Sequence, residues 1–407
     1  MDIYQKALKL HSDHQGKIEV KSKVRVRSRE ELSLAYSPGV AEPCRKINQD
    51  PEKLYQYTAY GNQVAVVSSG TAVLGLGDIG PKAALPVMEG KAVLFKEFAN
   101  VDAFPLCVGT KKVDQIVDFV KLLEPTFAGI NLEDISAPRC FEIEARLKEE
   151  TEMAIFHDDQ HGTAIVVLAA VINALKLVNK SIDQIKIVIN GAGAAATAVS
   201  KLLLDAGAHN LIINDKIGIL NSSNLDQYDS LRQDLIKRTN PDNLNGGLRE
   251  AVEDADLFIG LSVGNILKEE MVEEMADDPL IFAMANPTPE IDPESALNAG
   301  AAVIATGRSD YPNQINNVLA FPGVFRGTLD VRASEISEGM KIAAAEAIAE
   351  LVADDLSAEY IIPDPFDQRV VPAVAFAVAK NAIKTNLARI ELSEQELKQK
   401  IENKLEK

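Results

Sequence analysis

The chain has no tryptophan and only three cysteines among its 407 residues. Cys44, Cys107 and Cys140 are odd in number, far apart and form no CxxC pair. That excludes a disulfide framework and a thiolate zinc site, and it suits a reducing, cytoplasmic compartment. Positive charge is scarce as well. The 42 Lys and Arg stand against 60 Asp and Glu, and the net charge of −18 disfavours nucleic acid or an anionic membrane as partner while leaving a small anionic substrate open. Long apolar runs are few. The N-terminal MDIYQKALKLHSDHQGK lacks the apolar stretch of a secretory signal. GTAIVVLAAVINALKLV is interrupted by Asn173 and Lys176 and falls short of the roughly 20 residues of a membrane span, so a buried core helix is expected there.

Short apolar runs are what the chain has in quantity. From Val64 to Phe156, VAVV, AVLF, FAGINL and MAIF alternate with charge-bearing helical stretches such as DQIVDFVKLLE, an α/β layer pattern. From Ile185, the runs IKIVIN, LIIND, ADLFIGLS, PLIFAMAN and AAVIATG read as a parallel sheet of Rossmann type. Beyond Ala333 the pattern is helical. The expected fold class is α/β, with an N-terminal domain over 1–157, a Rossmann-type dinucleotide domain over 158–316 and a helical segment over 317–407 that packs back on the first domain. The tail carries a capping box, Ser393 with Glu396, a staple of Leu392 with Leu397, and an apolar stripe of Leu397, Ile401 and Leu405. That stripe needs a partner surface, in the same chain or another.

Two glycine patterns compete for a dinucleotide. GAGAAA (Gly191 to Ala196) follows the strand-like IKIVIN and opens an unbroken helical stretch. Gly191 permits the tight turn, Gly193 the approach of a pyrophosphate, Ala194 lies in the first turn beside the phosphates, and Ala196 allows close helix–sheet packing. Asp215, ending LIIND, stands where an acid holds the ribose hydroxyls and favours NAD; Lys216 beside it is a counter-signal, so NADP is disfavoured without being excluded. GLGDIG (Gly75 to Gly80) is followed by a stretch in which Pro86 is expected to break the helix after one turn. It reads as a close-packed loop bordering the site.

FHDDQHGTA (Phe156 to Ala164) raises a metal question. His157 and His161 have the spacing of HExxH, the zinc-binding helix motif. Aspartate in place of the glutamate base, the lack of a third ligand and the apolar helix that follows speak against zinc. GINLEDI offers Glu133 and Asp134, and MAIF leads to Asp158 and Asp159. Neighbours on a strand point to opposite faces, so both members of a pair reach one ion only where the strand ends and turns. Two strand ends would then deliver an all-oxygen set suited to Mg²⁺ or Mn²⁺. Solvated acidic loops are the plain alternative.

AYSPGVAEPCR, LGLGDIGPKAALPVMEGK, GINLEDISAPRCFEIE, FHDDQHGTA, NGAGAAA, MANPTPE and NNVLAFPGVFRG together resemble, in order, the signature segments of the malic enzyme family in its compact prokaryotic form. The resemblance spans about residues 20 to 390. It implies oxidative decarboxylation of L-malate to pyruvate and CO₂, with NAD reduced, Mg²⁺ or Mn²⁺ required, and a homodimer or higher assembly. It further implies Tyr36 as proton donor, Lys91 as base, Glu133, Asp134 and Asp159 as metal ligands and Asp158 as a further polar or base candidate. Asn286 and Asn317 match positions that bind substrate or cofactor. For Lys91 to act as a base near neutral pH its pKa must fall, and desolvation with cofactor charge is the expected cause. Where larger relatives carry a carboxylate-gripping arginine, this chain has Ala72. A metal-dependent oxaloacetate decarboxylase, a malolactic enzyme, a non-catalytic NAD-binding regulator and a metal-independent amino-acid dehydrogenase are the rival readings.

Overall fold

The computed structural model describes residues 2–406 apart from Leu74 and Asp229. Four helices come first: α1 (Ile3–His14), α2 (Arg29–Ala35), α3 (Ala41–Gln49) and α4 (Leu54–Tyr57), none with a buried residue. In strand β1 (Gln63–Ser68), Val64 and Val66 face one side and Ala65 and Val67 the other, and all four are fully buried. A strand covered on both faces belongs in a parallel sheet. β1 pairs in parallel with β2 (Asp102–Cys107) and β3 (Gly129–Glu133), and β4 (Ala154–His157) completes the order β2-β1-β3-β4.

Two expectations fail in this sheet. AVLF is not a strand, because Ala92–Phe95 lies inside α5 (Pro81–Ala99). The strand it displaces, β2, was masked in the sequence by Pro105, which is tolerated there because β2 is an edge. Pro86 does not stop α5 either. The missing N–H costs about 3 kcal/mol, but Ala84, Met88, Ala92, Phe95 and Ala99 form one buried stripe along the helix. Fully burying Met88 and Phe95 alone contributes roughly 1.5–3 kcal/mol each. The continuity matters, since Lys91 rides on the same helix.

α6 (Val113–Lys121) and α7 (Arg139–Glu150) cover the other face of the sheet, with Ile116, Val117, Ile143 and Leu147 meeting Ala65, Val67, Ile130 and Leu132. After β4 the chain makes one π-helical turn, Asp158–Gly162, and runs on as α8 (Thr163–Leu177). The combined helical run is 20 residues, long and apolar enough to cross a membrane, so length does not exclude a span as expected. Burial identifies it instead as a core helix: 72% of its apolar window lies inside the protein.

The five runs beyond Ile185 supply β5 (Lys186–Asn190), β6 (Asn210–Asp215), β8 (Leu257–Gly260), β9 (Leu280–Ala283) and β10 (Val303–Thr306); a two-residue β7 (Gly218–Ile219) follows β6. The sheet order is β10-β9-β8-β5-β6-β7, parallel except for β7. α9 (Ala194–Asp205) follows β5, as the glycine pattern requires. Helices Phe321–Asp330, Glu338–Glu350, Val370–Lys384 and Glu394–Leu405 then return over the first sheet. The rings of Phe321 and Phe325 lie 4.7 and 5.2 Å from Phe95, and Phe325 lies 5.8 Å from Phe156. The capping box of the last helix forms, and Leu397 and Ile401 are buried within the same chain. The stripe's partner surface is therefore intramolecular.

Phe325 joins β4, α5 and the returning helices at one aromatic junction. Phe325→Ala should lower unfolding free energy by about 3–5 kcal/mol, read from denaturant unfolding followed by circular dichroism; a loss under about 1 kcal/mol would show that the junction is not a cornerstone of the packing.

Candidate active site

β3 and β4 are hydrogen-bonded neighbours, with Leu132 opposite His157, so their carboxyl ends open side by side. The alternation problem at Glu133 and Asp134 is solved by the backbone. Asp134 has a left-handed φ of 53° and turns the chain where β3 stops, and the N–H groups of Thr71 and Ala72 donate to its carbonyl at 3.0 and 3.1 Å. The Asp134 N–H in turn donates to Asp159 Oδ2 at 2.8 Å, tying the two strand ends together. Glu133, Asp134 and Asp159 thereby each place a carboxylate oxygen within 4.8 Å of the other two. The buried Asn131 amide donates to Glu133 Oε2 at 2.8 Å and orients it. An all-oxygen group of this spacing fits a hard dication and not zinc.

Asp158 turns away from that group. It is fully buried, and its Oδ2 accepts from the Lys91 ammonium at 2.6 Å and from the Asn317 amide at 2.8 Å. Lys91 also lies 3.1 Å from Glu133 Oε1 and 4.3 Å from the centre of the Phe321 ring, with 10% of its side chain exposed. Burial by itself lowers a lysine pKa, but Asp158 and Glu133 outweigh it and hold the ammonium above the ordinary lysine range. The expectation of a lowered Lys91 is thus not met in this state, because two carboxylates flank it at bonding distance. Glu133 goes the other way from an ordinary surface acid. Burial raises it well above its usual value, Lys91 pulls down, and Asp159, Asp158 and Asp134 add to the rise.

The HDDQH spacing does not make a zinc pair. The segment is a π turn, not an α-helix, and the two rings diverge. His157 is buried with Nδ1 3.7 Å from Asp159 Oδ2, while His161 Nε2 lies 2.6 Å from Glu144 on α7. The two histidines flank the carboxylates.

The dinucleotide turn is built as its residues require. Gly191 has φ 129° and a Cβ there would stand 2.6 Å from the Leu261 carbonyl oxygen. Gly193 has open space where a Cβ would be, and α9 starts with no side-chain cap, which leaves its first N–H groups to a phosphate. Ala194 opens α9, and Ala196 is buried in its packing. Asp215 ends β6 half-buried and accepts from the Lys216 N–H. Asn286 follows β9 and is exposed, close enough to Gly307 that a Cβ there would meet its amide at 2.8 Å. Its carbonyl lies 3.7 Å from where a Gly75 Cβ would be, so GLGDIG does border this cleft. β1 ends at Ser68 and α5 starts only at Pro81, which is not the strand–turn–helix of a second cofactor site.

Tyr36 is not gathered in. It ends α2 with 69% of its surface exposed and makes no hydrogen bond through its phenol among the described residues. Three contributors were missed in the sequence. Gly162 has no free space, since a Cβ would sit 2.0 Å from Asp158 Oδ1. Glu290, fully buried, accepts from the N–H of Ala285 and of Ser262 and so shapes the Asn286 loop. Asn131 orients Glu133 from two residues back along β3. Each lies inside a quoted motif, but its role depends on how the backbone turns its neighbours towards it, which no spacing in the sequence shows.

Comparison with known proteins agrees with this geometry. Residues 15–148 match the model of the malic enzyme N-terminal domain and residues 160–383 that of the malic enzyme NAD-binding domain. The chain belongs to the malic enzyme family. Among its curated relatives, the bifunctional malic/malolactic enzyme of Bacillus subtilis is 60% identical, over 98% of each chain. The NAD-dependent malic enzyme of Geobacillus stearothermophilus is 57% identical over 92% of this chain and 78% of its own. Among solved structures, the malic enzyme of Pyrococcus horikoshii superposes with a TM-score of 0.96 at 49% identity, covering 100% of this chain and 96% of that one.

For this malic enzyme family member, Gly162→Ala should push Asp158 off Lys91 and Asn317. A misplacement near 1 Å costs on the order of 100-fold, so turnover should fall by about that factor while circular dichroism stays native. Unchanged kinetics would remove Asp158 from the working site.

Proposed function

We propose that the chain catalyses oxidative decarboxylation of L-malate to pyruvate and CO₂ with NAD⁺ as hydride acceptor, dependent on Mg²⁺ or Mn²⁺. The observation that carries this reading is the convergence of three carboxylates and a buried lysine at the ends of β3 and β4. The dinucleotide turn of the second sheet and the relationship to an NAD-dependent malic enzyme support it.

Glu133, Asp134 and Asp159 hold the metal, with Asn131 and the Asp134 N–H orienting them. When bound there, a dication would supply polarisation of the C2 oxygen and stabilisation of the charge left by decarboxylation, and a nicotinamide at the glycine turn would supply the hydride acceptor. Lys91 exchanges the proton of the C2 hydroxyl. Asp158 keeps the Lys91 ammonium in place, and Asn317, sharing the same Asp158 oxygen, fixes that carboxylate and presents its remaining amide hydrogen to the substrate. Engaging Glu133 and Asp159 elsewhere removes two of the three anions that raise Lys91, which moves it towards a working range. The Phe321 face shields the amine from water. Gly191, Gly193, Ala194 and Ala196 receive the pyrophosphate, Asp215 the ribose, and Asn286 lines the cleft beside them.

Tyr36 is the proton donor to C3 in this reading, and its exposure gives the assembly a role. Val20, Val24, Leu34 and Tyr36 are 91, 62, 72 and 69% exposed in a segment that buries nothing in its own chain. A homodimer in which a second copy covers this segment would enclose the phenol. Sedimentation should give about twice the chain mass; a monomer with full activity would remove this role.

A second reading has one specific support, the malolactic activity in the name of the Bacillus subtilis relative. Conversion of malate to lactate with NAD retained would use the same residues. Assays with malate, NAD⁺ and Mn²⁺ should yield one NADH per CO₂, and chelation should abolish the rate. Lactate with almost no free NADH would favour the second reading, and turnover indifferent to chelation would sink both. Lys91→Ala should lower turnover by about 10²–10⁴-fold, and near wild-type rates would end its role as base.

A further inference from the structure

Bonded to the two residues that follow Asp159 lies a second cluster of charged groups that the reaction does not use. Glu144, on α7, is 5% exposed, yet three donors converge on it. His161 Nε2 is 2.6 Å and Lys148 Nζ 2.8 Å from its Oε1, and the Gln160 amide is 3.2 Å from its Oε2. On the other side of the His161 ring, Lys341 Nζ stands 3.0 Å from Nδ1 and 2.7 Å from Glu338 Oε1. Lys341 belongs to the Glu338–Glu350 helix and is 1% exposed.

The donor inventory sets a direction through this chain. An ammonium only donates, so Nδ1 accepts from Lys341 and Nε2 carries the hydrogen that goes to Glu144. One tautomer and one ring orientation satisfy both ends. The connectivity is equally specific. Gln160 and His161 are the two residues directly after Asp159 in the π turn, and one carboxylate holds both. That carboxylate is on the helix entered from the Asp134 turn, so it ties the loop carrying Glu133 and Asp134 to the loop carrying Asp158 and Asp159. Burying two such charges costs stability that apolar packing would not, and hydrogen bonds through a ring supply direction that apolar packing cannot.

We propose that Glu144, His161 and Lys341 are positioning residues that set the spacing of the metal carboxylates, with Glu144 joining the two strand ends and Lys341 locking the His161 ring. This rests on the metal reading of Glu133, Asp134 and Asp159 given above. None of the three touches substrate or cofactor in this role. Loss of either end lets the π turn shift against β3 and loosens the ion's site, while the glycine turn, although α9 packs on the π turn, keeps its own anchor in the Gly191 N–H, which donates to the Asn214 carbonyl at 2.7 Å.

The test is Mn²⁺ binding to the full-length protein without malate or nucleotide, followed by the electron paramagnetic resonance signal of free Mn²⁺, with NAD⁺ affinity measured by calorimetry on the same samples. Glu144→Gln and Lys341→Met should each weaken Mn²⁺ binding about 10-fold or more, the usual effect of removing an outer partner of a metal ligand. NAD⁺ affinity should stay within about 2-fold, a separation a merely structural role would not produce. Asp159→Asn serves as the reference. If it leaves Mn²⁺ binding intact, the metal reading itself fails. If it abolishes binding while Glu144→Gln and Lys341→Met bind as wild type, the positioning role is overturned, as it is if both variants lose Mn²⁺ and NAD⁺ together. Should Lys341→Met not fold, the near-isosteric Glu144→Gln decides.

Discussion

Four carboxylates share the ends of two adjacent strands with a single ammonium. Glu133, Asp134, Asp158 and Asp159 against Lys91 leave an excess of negative charge in a place where Glu133, Asp134 and Asp158 are each at most 5% exposed. Buried like charges repel strongly and cannot all stay ionised without compensation. Lys91 relieves part of the strain, and it is for this reason held as an ammonium when nothing else is present. A dication is the natural remainder of that balance. Binding, proton transfer and the shape of the surrounding loops all answer to it.

The scaffold is arranged to hold this cluster against its own repulsion. Backbone and side-chain donors are spent on it one by one: the Asp134 N–H on Asp159, the Asn131 amide on Glu133, the Asn317 amide on Asp158. α5 runs through Pro86 to deliver Lys91, and the returning helix delivers Phe321 against that lysine and Phe325 against the strand that ends in His157. Parts of the chain more than 150 residues apart in sequence, Asp158 and Asn317 among them, meet in one hydrogen bond. A charged site of this kind is stable only because rigid apolar packing surrounds it on both faces of the sheet.

Much of this was legible as pattern. The runs from Ile185 onward became the second sheet, GAGAAA became its dinucleotide turn, and the tail's capping box formed as written. The failures have physical causes. AVLF looks like a strand because four apolar residues carry no period of their own, and β2 was hidden by a proline that only an edge position tolerates. Pro86 reads locally as a helix breaker, and the buried stripe that offsets its penalty exists only once the helix packs. A base role for Lys91 calls for a pKa lowered by desolvation and cofactor charge; the flanking carboxylates that reverse the sign are visible only in space.

By itself, the order of residues determined which groups could do the chemistry: an acidic pair at each of two apolar runs, a glycine turn and an acid one strand beyond it. These follow from local rules, since period, turn propensity and donor type are properties of neighbours along the chain. Tertiary structure alone decided that Asp158 faces Lys91 while Asp159 faces Asp134, and that His157 and His161 diverge. It alone recruited Glu144 and Lys341 to the π turn. Those outcomes depend on distances of a few ångströms between segments far apart in sequence, and Coulomb and hydrogen-bond energies change steeply over such distances.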